Sequence, residues 1–453
     1  MQYCLFYREF LDMGKITRRQ RKTLAVLYTC NICVLSSVAL MPPFFPEPDK
    51  NKGISATKTG LLFGIFRLTM ALASPIYGKY MIKVGPKFLL TAGVYTAAGT
   101  NILMGVLENI PSHEFFYVVS FVLQVFAALG TASVPNVIAC LIAVEFPENL
   151  ASVFASTEAA LSLSMMVVPF LTDIMEDVMG FNVPFIVSGC ILILVAFMVN
   201  EILPDTIEDL PIRNRFRISE ILCKKSVLIF TICLIVNGVS NGFFLGSLKY
   251  YLKPLHLSQF EITLMFILNS AVYSCCATCW GWLCDKKVSP FFVASIGASF
   301  IALSFLLSGF FTYLPNTPIL SIYVISNIMF GVGNGALVVS TFTGLHREAT
   351  TRNTNQDIRS GSLVGAIWNC CFCFGCFVGF TIGGVLLDNI GYKFTAFIIA
   401  SLQILVLCTI LLYSIWIQCL GKGNTINGEH LISPIDDNSC GTFYSCQSVE
   451  QMR

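Results

Sequence analysis

Arg67 and Glu158 are ionisable residues inside long apolar segments of a chain in which only 12% of the residues are charged. A charge at the centre of a bilayer costs about 2.5–3.5 kcal/mol on insertion scales, so such residues usually have a partner or a functional role. The chemistry of Glu158 allows three interpretations: an ion-pair partner of Arg67, a carboxylate that binds a cation, or a proton carrier. A nearby Arg67 would stabilise the ionised carboxylate in each case.

The depths of the two charges are compatible with a pair. Arg67 lies eight residues inside one end of its segment, about 12 Å at 1.5 Å per residue. Glu158 lies seven residues inside the opposite end of its own segment, about 11 Å by the same rise. In a hydrocarbon core of about 30 Å the two backbones then differ by several ångströms in depth, which two long side chains can bridge.

Other polar or aromatic residues within apolar segments could line a binding cavity: Gln124, Asn237, Asn241, Asn334 and Trp368. The face of a tryptophan ring attracts a cation, and an amide can donate or accept a hydrogen bond. Hydrogen bonding between helices explains the asparagines equally well, and ordinary packing is an alternative for the tryptophan.

Two cysteine groups, at 275–279 and 370–376, contain no histidine. A structural zinc site needs four ligands and often includes histidine, whereas small cysteines pack well between apolar helices. We therefore expect no metal and no cofactor. The sequence shows no nucleophile with a base and no phosphate-binding loop, so we expect neither an enzyme nor an ATP-driven pump.

These residues must be positioned by membrane-spanning helices. The chain is 55% hydrophobic with a mean hydropathy of +0.74, and a span needs about 20 apolar residues. Continuous apolar runs favour helices over a barrel, because a helix satisfies its own backbone polar groups. Twelve spans are predicted, at 24–45, 59–82, 88–107, 115–140, 151–174, 183–203, 226–249, 261–284, 290–313, 318–343, 361–387 and 393–419.

Basic residues predict the orientation. Of the 28 Lys and Arg residues, 21 fall on the face that carries both termini, six on the opposite face, and Arg67 within a span. Excess positive charge marks the cytosolic side, so both termini are expected in the cytosol. The net charge of +2 is too small and too dispersed to indicate a nucleic-acid partner.

The two halves of the chain resemble each other. Gly180-Phe181 after the fifth span and Gly391-Tyr392 after the eleventh are offset by 211 residues. The repeat divides the chain into a cytosolic segment (1–23), a six-helix bundle (24–203), a cytosolic linker (204–225), a second six-helix bundle (226–419) and a disordered tail (420–453).

Short Gly-rich basic turns follow the second and eighth spans. Their relevant residues are Gly78, Gly85 and Lys87 in the first turn, and Gly281, Asp285 and Lys286 in the second. With twelve spans and a six-plus-six repeat, these turns resemble the signature of the major facilitator superfamily. The resemblance implies turns that grip a neighbouring helix end and control opening toward the cytosol. Ile82 stands where an Asp is usual, which implies a weaker latch in the first half.

Further segments resemble the vesicular amine transporter branch, including its polyamine transporter-like members: Pro43-Phe-Phe-Pro46, Gly60-Leu-Leu-Phe-Gly64, Gly85-Pro-Lys-Phe88, Phe146-Pro147, Glu158 and 183–190. That branch usually has acidic residues where Met70, Ala127 and Leu245 stand here, and proton antiporters have an Arg where Gln124 stands. Proton exchange is therefore implied only by the resemblance.

We accordingly expect a monomeric secondary transporter of a small organic solute that works by alternating access. A cationic amine or polyamine exchanged for protons is the first hypothesis. A facilitator of an organic anion or neutral metabolite is the second, and a non-transporting membrane sensor of the same fold is the third. The expected location is a vesicle, another endomembrane or the plasma membrane.

Overall fold

The computed structural model describes residues 17–40, 56–106, 113–180, 182–203, 224–252, 255, 259–286, 288–311, 320–350 and 358–426 of the 453-residue chain. Within these ranges the chain forms α1 (Arg18–Ala39), α2 (Ala56–Val84), α3 (Pro86–Val106), α4 (His113–Glu145), α5 (Leu150–Met179), α6 (Asn182–Ile202), α7 (Lys225–Leu252), α8 (Gln259–Asp285), α9 (Pro290–Phe311), α10 (Leu320–Thr350) and a last stretch, Ile358–Ile426. Gly391 has non-helical angles (φ 77°) and divides the last stretch into α11 (358–390) and α12 (392–426).

The twelve helices correspond one to one with the twelve predicted spans. Among the described residues, nine candidate spans are long and apolar enough to cross a membrane by length and composition, and the last of them (361–417) includes both α11 and α12. The first two predicted spans, 24–45 and 59–82, match α1 and α2, which are helical but are not among those nine.

Helix ends differ from the predicted ends where hydropathy is a poor guide. α10 continues to Thr350, seven residues beyond its predicted end, through the polar residues His346, Arg347 and Glu348. Arg347 donates hydrogen bonds to the carbonyls of Cys284 and Val288 and so ties this polar turn to the α8–α9 turn. Hydropathy marks the edge of the membrane, whereas backbone hydrogen bonds and such tertiary contacts determine the end of a helix.

The chain divides into two compact units, Met1–Ile410 and Leu411–Arg453. In the second unit, the described residues 411–426 are helical, and the rings of Tyr413 and Trp416 stack with centroids 5.9 Å apart. The helix thus passes the predicted start of the tail at 420 by several residues. The linker (204–225), except for its last two residues, and the predicted tail beyond 426 lie outside the described residues, and the division into two bundles stays a prediction.

The predicted repeat has a counterpart in the backbone. Gly180 and Gly391, the two glycines offset by 211 residues, have φ values of 88° and 77°. This left-handed region is costly for residues with a Cβ but accessible to glycine. The same backbone device therefore connects α5 to α6 and α11 to α12.

Glycines let α7 and α11 approach closely. Gly375 and Gly379 of α11 face the backbone carbonyls of Ile235 and Val239, and a methyl group at either glycine would overlap with the carbonyl oxygen. This close packing relies on van der Waals contact between the two backbones.

We predict that Gly375→Ala lowers the stability of the folded protein by about 1–3 kcal/mol, because the added methyl group must force α7 and α11 apart. Gly99→Ala in α3 is the control, since its new methyl group would meet open space. The unfolding temperature of the purified variants in lipid nanodiscs measures the effect. Equal unfolding temperatures for the two variants would contradict the proposed backbone contact.

Candidate functional site

Glu158 is positioned by the contact between α5 and α8. The hydroxyl of Tyr273 donates a hydrogen bond to Oε2 of Glu158 at 3.0 Å. One turn farther along α5, Ser162 donates to the carbonyl of Ser270 at 2.6 Å. The two contacts show that the helices run antiparallel, and they fix the carboxylate against a tyrosine that is only 8% exposed.

Aromatic rings lie one helical turn from Glu158 and form what we call the aromatic cluster: Phe154, Phe342, Trp368 and Phe372. The rings of Phe154 and Phe342 stack with centroids 3.8 Å apart, and Trp368 meets Phe154 edge to face at 5.3 Å. Phe372 stacks on Trp368 at 5.6 Å. The cluster thus joins α5, α10 and α11 beside the carboxylate.

Arg67 lies against α11. Its guanidinium lies beside the thiols of Cys373 and Cys376. Arg67 and Glu158 are both surrounded by protein, yet each keeps part of its surface accessible, as groups facing an internal space do. The described neighbours of this cation are therefore thiols and not carboxylates.

The ion pair between Arg67 and Glu158, one of the three interpretations of Glu158, is not formed in this structure. Across the described residues, the geometry of an ion pair is met by Arg19 and Glu145, at 2.9 Å near the predicted cytosolic ends of α1 and α4. Depth alone suggested that Arg67 and Glu158 could meet, but α2 packs on α11 while α5 packs on α8, so each charge faces a different neighbour.

A polar network extends from Arg67 through α11 to α2 and α4. The thiol of Cys373 donates to Oδ1 of Asn369 at 3.4 Å, and the amide of Asn369 donates to Oγ of Ser74 at 2.7 Å. Asn136 also donates to Ser74, at 3.3 Å. Ser74 and Asn136 were not among the candidates from the sequence, although an asparagine in the middle of an apolar span was a usable signal.

The structure brings two of the candidate amides together. Asn237 on α7 donates to Oδ1 of Asn334 on α10 at 3.1 Å, as expected for hydrogen bonding between helices. The side-chain oxygen of Asn237, Oδ1, is buried without a hydrogen-bond partner. Asn241 is partly buried on α7, and Gln124 is 2% exposed on α4, twelve residues or about 18 Å before Asn136. Gln124 therefore lies far from the Ser74 network.

The second Gly-rich turn grips the start of α5. The carboxylate of Asp285 accepts hydrogen bonds from the backbone amides of Ala151 and Ser152, at 3.1 Å and 2.7 Å. These amides belong to the first turn of α5, where the helix dipole favours a negative charge. Gly281 lets α8 approach, because a methyl group there would overlap with Ala155. Lys286 lies over the ring of Trp282 with its Nζ 3.8 Å from the centroid.

The first Gly-rich turn makes a different contact. Gly78 packs against Ala366 of α11, and its carbonyl accepts a hydrogen bond from Ser362 at 2.9 Å. Ile82, one turn later, has no group that could accept hydrogen bonds from the start of α11. Gly85 has φ 88° and connects α2 to α3, and Lys87 is partly buried in the first turn of α3. Only the second turn uses a carboxylate.

The cysteine groups offer no metal centre in the part of the chain that the structure describes, where three or more His, Cys, Asp or Glu side chains nowhere converge. The described cysteines are free thiols.

We predict that Asp285→Ala destabilises the α5–α8 contact by about 1–3 kcal/mol, because two amides at the start of α5 lose a charged acceptor. Asp285→Asn retains one acceptor oxygen and should give a smaller loss. Glu148→Ala, at an exposed position in the α4–α5 turn, is the control. Unfolding temperatures in nanodiscs and the rate of proteolysis in the α4–α5 turn report the change, and an Asp285→Ala variant as resistant as wild type would contradict it.

The model for the Major Facilitator Superfamily matches residues 27–356 and 231–419. The chain is 28% identical to human MFS-type transporter SLC18B1 over 388 residues, covering 84% of each chain. It is 22% identical to the uncharacterized MFS-type transporter MJ1560 of Methanocaldococcus jannaschii, over 85% of this chain and 96% of that protein.

Solved structures show the same fold. The human organic anion transporter MFSD10 (TETRAN) matches with a TM-score of 0.70 at 11% identity, over 87% of this chain and all of that chain. FucP in its outward conformation matches with a TM-score of 0.64 at 12% identity, over 86% of this chain and 98% of that chain. The relatives are transporters, which confirms that the chain is not an enzyme. The chain therefore belongs to the Major Facilitator Superfamily and is a multi-pass membrane transporter with the twelve-helix fold of that family.

Proposed function

We propose that the protein is a secondary active transporter that moves a small organic amine by alternating access, in exchange for protons. The observation that carries the proposal is the carboxylate of Glu158, which lies within the protein between α5 and α8 and is oriented by the hydroxyl of Tyr273. The Coulomb attraction between an ionised carboxylate and an ammonium group is stronger in a medium of low polarity than in water. Tyr273 leaves the second carboxylate oxygen, Oε1, available to the amine.

The aromatic cluster supports a cationic solute. The face of an aromatic ring carries negative charge and attracts an ammonium group, most strongly where water is excluded. Phe154 lies four residues before Glu158 and therefore on the same face of α5. An amine bound to Glu158 has its alkyl part beside these rings.

Proton exchange follows from sharing one acidic group. A protonated Glu158 is neutral and has no charge to offer an amine, so a proton and an ammonium group exclude each other at this carboxylate. Binding of one releases the other, which is the minimum requirement for exchange. The resemblance to the vesicular amine transporter branch favours this class of solute by analogy, since proteins of this fold transport many substrates.

We propose that the two predicted bundles move against each other at the α5–α8 and α2–α11 contacts, since each contact joins a helix of the first bundle to one of the second. The bonds from Asp285 to α5 amides break and re-form as the cytosolic end opens and closes. Gly78, Gly85, Lys87, Gly281 and Lys286 complete the proposed gate. The protein acts as a monomer in this proposal.

We further propose that both termini lie in the cytosol, in a vesicle membrane, another endomembrane or the plasma membrane. The evidence is the distribution of Lys and Arg. Epitope tags at each terminus, probed before and after selective permeabilisation, test the orientation. If antibodies reach both tags only after permeabilisation gives them access to the cytosol, the result agrees with the proposal. A tag on the opposite face of the membrane contradicts it.

A second candidate function rests on Arg67. Its guanidinium lies inside the protein against a thiol and offers a site for an anion. Transport of an organic anion or of a neutral metabolite is therefore the competing hypothesis. Uptake panels in proteoliposomes distinguish the candidates: amine accumulation driven by an acid interior supports the first, anion or neutral uptake supports the second, and no flux of any solute supports a sensor.

We predict that Glu158→Gln lowers proton-driven amine uptake at least about a hundredfold, because the amide is nearly isosteric but cannot carry charge or exchange a proton. The matched control is Glu148→Gln, which changes an exposed acid ten residues earlier. Uptake of a radiolabelled amine into proteoliposomes with an imposed pH gradient is the measurement. Unchanged uptake by a correctly folded Glu158→Gln variant would remove this carboxylate from the mechanism.

A further inference from the structure

We propose that the transported solute is a zwitterion, whose ammonium group binds Glu158 and whose carboxylate binds Arg67. The inference rests on the proposed function and narrows its substrate class from amines to amines that also carry a remote acidic group. It uses two charges inside the protein that lie at different helix contacts: Glu158 at the α5–α8 contact and Arg67 at the α2–α11 contact.

The two charges lie at nearly the same depth. Phe154 of α5 and Trp368 of α11 are in contact, which sets a common level for the two helices. Glu158 lies four residues beyond Phe154, about 6 Å along α5, and Cys373, the thiol partner of Arg67, lies five residues beyond Trp368, about 7.5 Å along α11.

The two displacements point the same way because α5 and α11 are parallel. α11 runs antiparallel to α4, since Gly361 packs against Ala143 and Gly365 packs against Ala139. α5 also runs opposite to α4, because it follows α4 after the short turn 146–149. Both charges are thus on the same side of the aromatic cluster, within a few ångströms of one level.

The charges of the site favour a ligand whose two ends carry opposite charges. The described neighbours of the guanidinium are thiols, and Arg67 and Glu158 do not form an ion pair with each other. A simple amine would neutralise Glu158 and leave a cation inside the protein. A zwitterion satisfies both groups and keeps the loaded site neutral, and the planar fork of Arg67 matches a carboxylate in geometry.

The aromatic side chains closest in sequence to the two charges lie on one side of both. The aromatic cluster lies about one turn below both of them and can pack against a hydrocarbon linker. An unbranched ω-amino acid combines this linker with an ammonium group at one end and a carboxylate at the other. This class of molecule is therefore the probe of choice.

The test compares three ligands of equal carbon chain: 6-aminohexanoate, hexylamine and hexanoate. Binding to the purified full chain in nanodiscs is measured at one pH, and longer ω-amino acids identify the preferred spacing of the two charges. Wild-type protein should bind the best ω-amino acid at least about tenfold more tightly than the amine of equal length, because the second charge pair forms only with the zwitterion.

Variants test which residue binds each end of the ligand. Arg67→Gln should abolish the preference for the amino acid while leaving amine affinity equal or higher, and Arg67→Lys should restore part of the preference. Glu158→Gln should weaken both the amine and the amino acid. Unfolding temperatures identify variants that fail to fold, and the comparison of ligands on wild-type protein needs no variant.

The outcomes separate the two proposals. If wild type binds the amine as tightly as every ω-amino acid, or if Arg67→Gln weakens amine and amino acid equally, the zwitterion proposal is wrong while amine transport stands. If neither the amine nor the amino acid binds in a manner that depends on Glu158, the proposed function itself fails. Tight binding of hexanoate alone, dependent on Arg67, would support the anion transporter instead.

Discussion

Hydrocarbon offers no hydrogen bonds, and this constraint governs nearly every polar contact in the protein. Backbone groups must be satisfied within each segment, so the spans are helices. Hydroxyl groups follow the same rule: Thr69 donates to the carbonyl of Ile65, and Ser74 to that of Met70, each one turn earlier on the same helix. Some side chains instead hydrogen-bond to another helix, as Tyr273 does to Glu158. Such a bond helps to fix the position of one helix relative to the other.

The constraint also explains why contacts between the halves are built from small residues. Lipid chains are as apolar as leucine side chains, so helices gain little by hiding them and associate through close packing and hydrogen bonds. Gly281 and Gly78 provide that approach at equivalent places in the two halves. The two turns nevertheless differ in chemistry, since the side chain of Asp285 accepts hydrogen bonds from two backbone amides and the side chain of Ile82 accepts none. The α5–α8 contact is therefore stabilised by a charged group, and the α2–α11 contact by packing and by the hydrogen bond from Ser362.

Much of the fold followed from the sequence because hydropathy reports directly on the membrane. The number of helices and most of their positions were correct, whereas the end of α10 was not, since Arg347 holds the polar last turn through tertiary contacts. The site was harder to predict from the sequence. Arg67 and Glu158 stood out as charges, but their partners Cys373 and Tyr273 depend on which helices are neighbours and how each is rotated, which hydropathy does not encode. The hydrogen bonds that Ser74 accepts from Asn136 and Asn369 depend on the same information.

The α5–α8 contact links the proposed gate to the proposed binding group. Ala151 and Ser152, which bond to Asp285, lie on the same straight run of α5 as Glu158, and seven residues or about 10 Å separate Ala151 from Glu158. Asp285 and Tyr273 likewise share α8. Because helices move largely as rigid bodies, a displacement of α5 against α8 that breaks the amide bonds to Asp285 must also change the distance from Tyr273 to Glu158. In the proposed mechanism, opening of the cytosolic end and release of the carboxylate from the tyrosine hydroxyl are then one event, and this coupling would let a single acidic group serve both faces of a membrane.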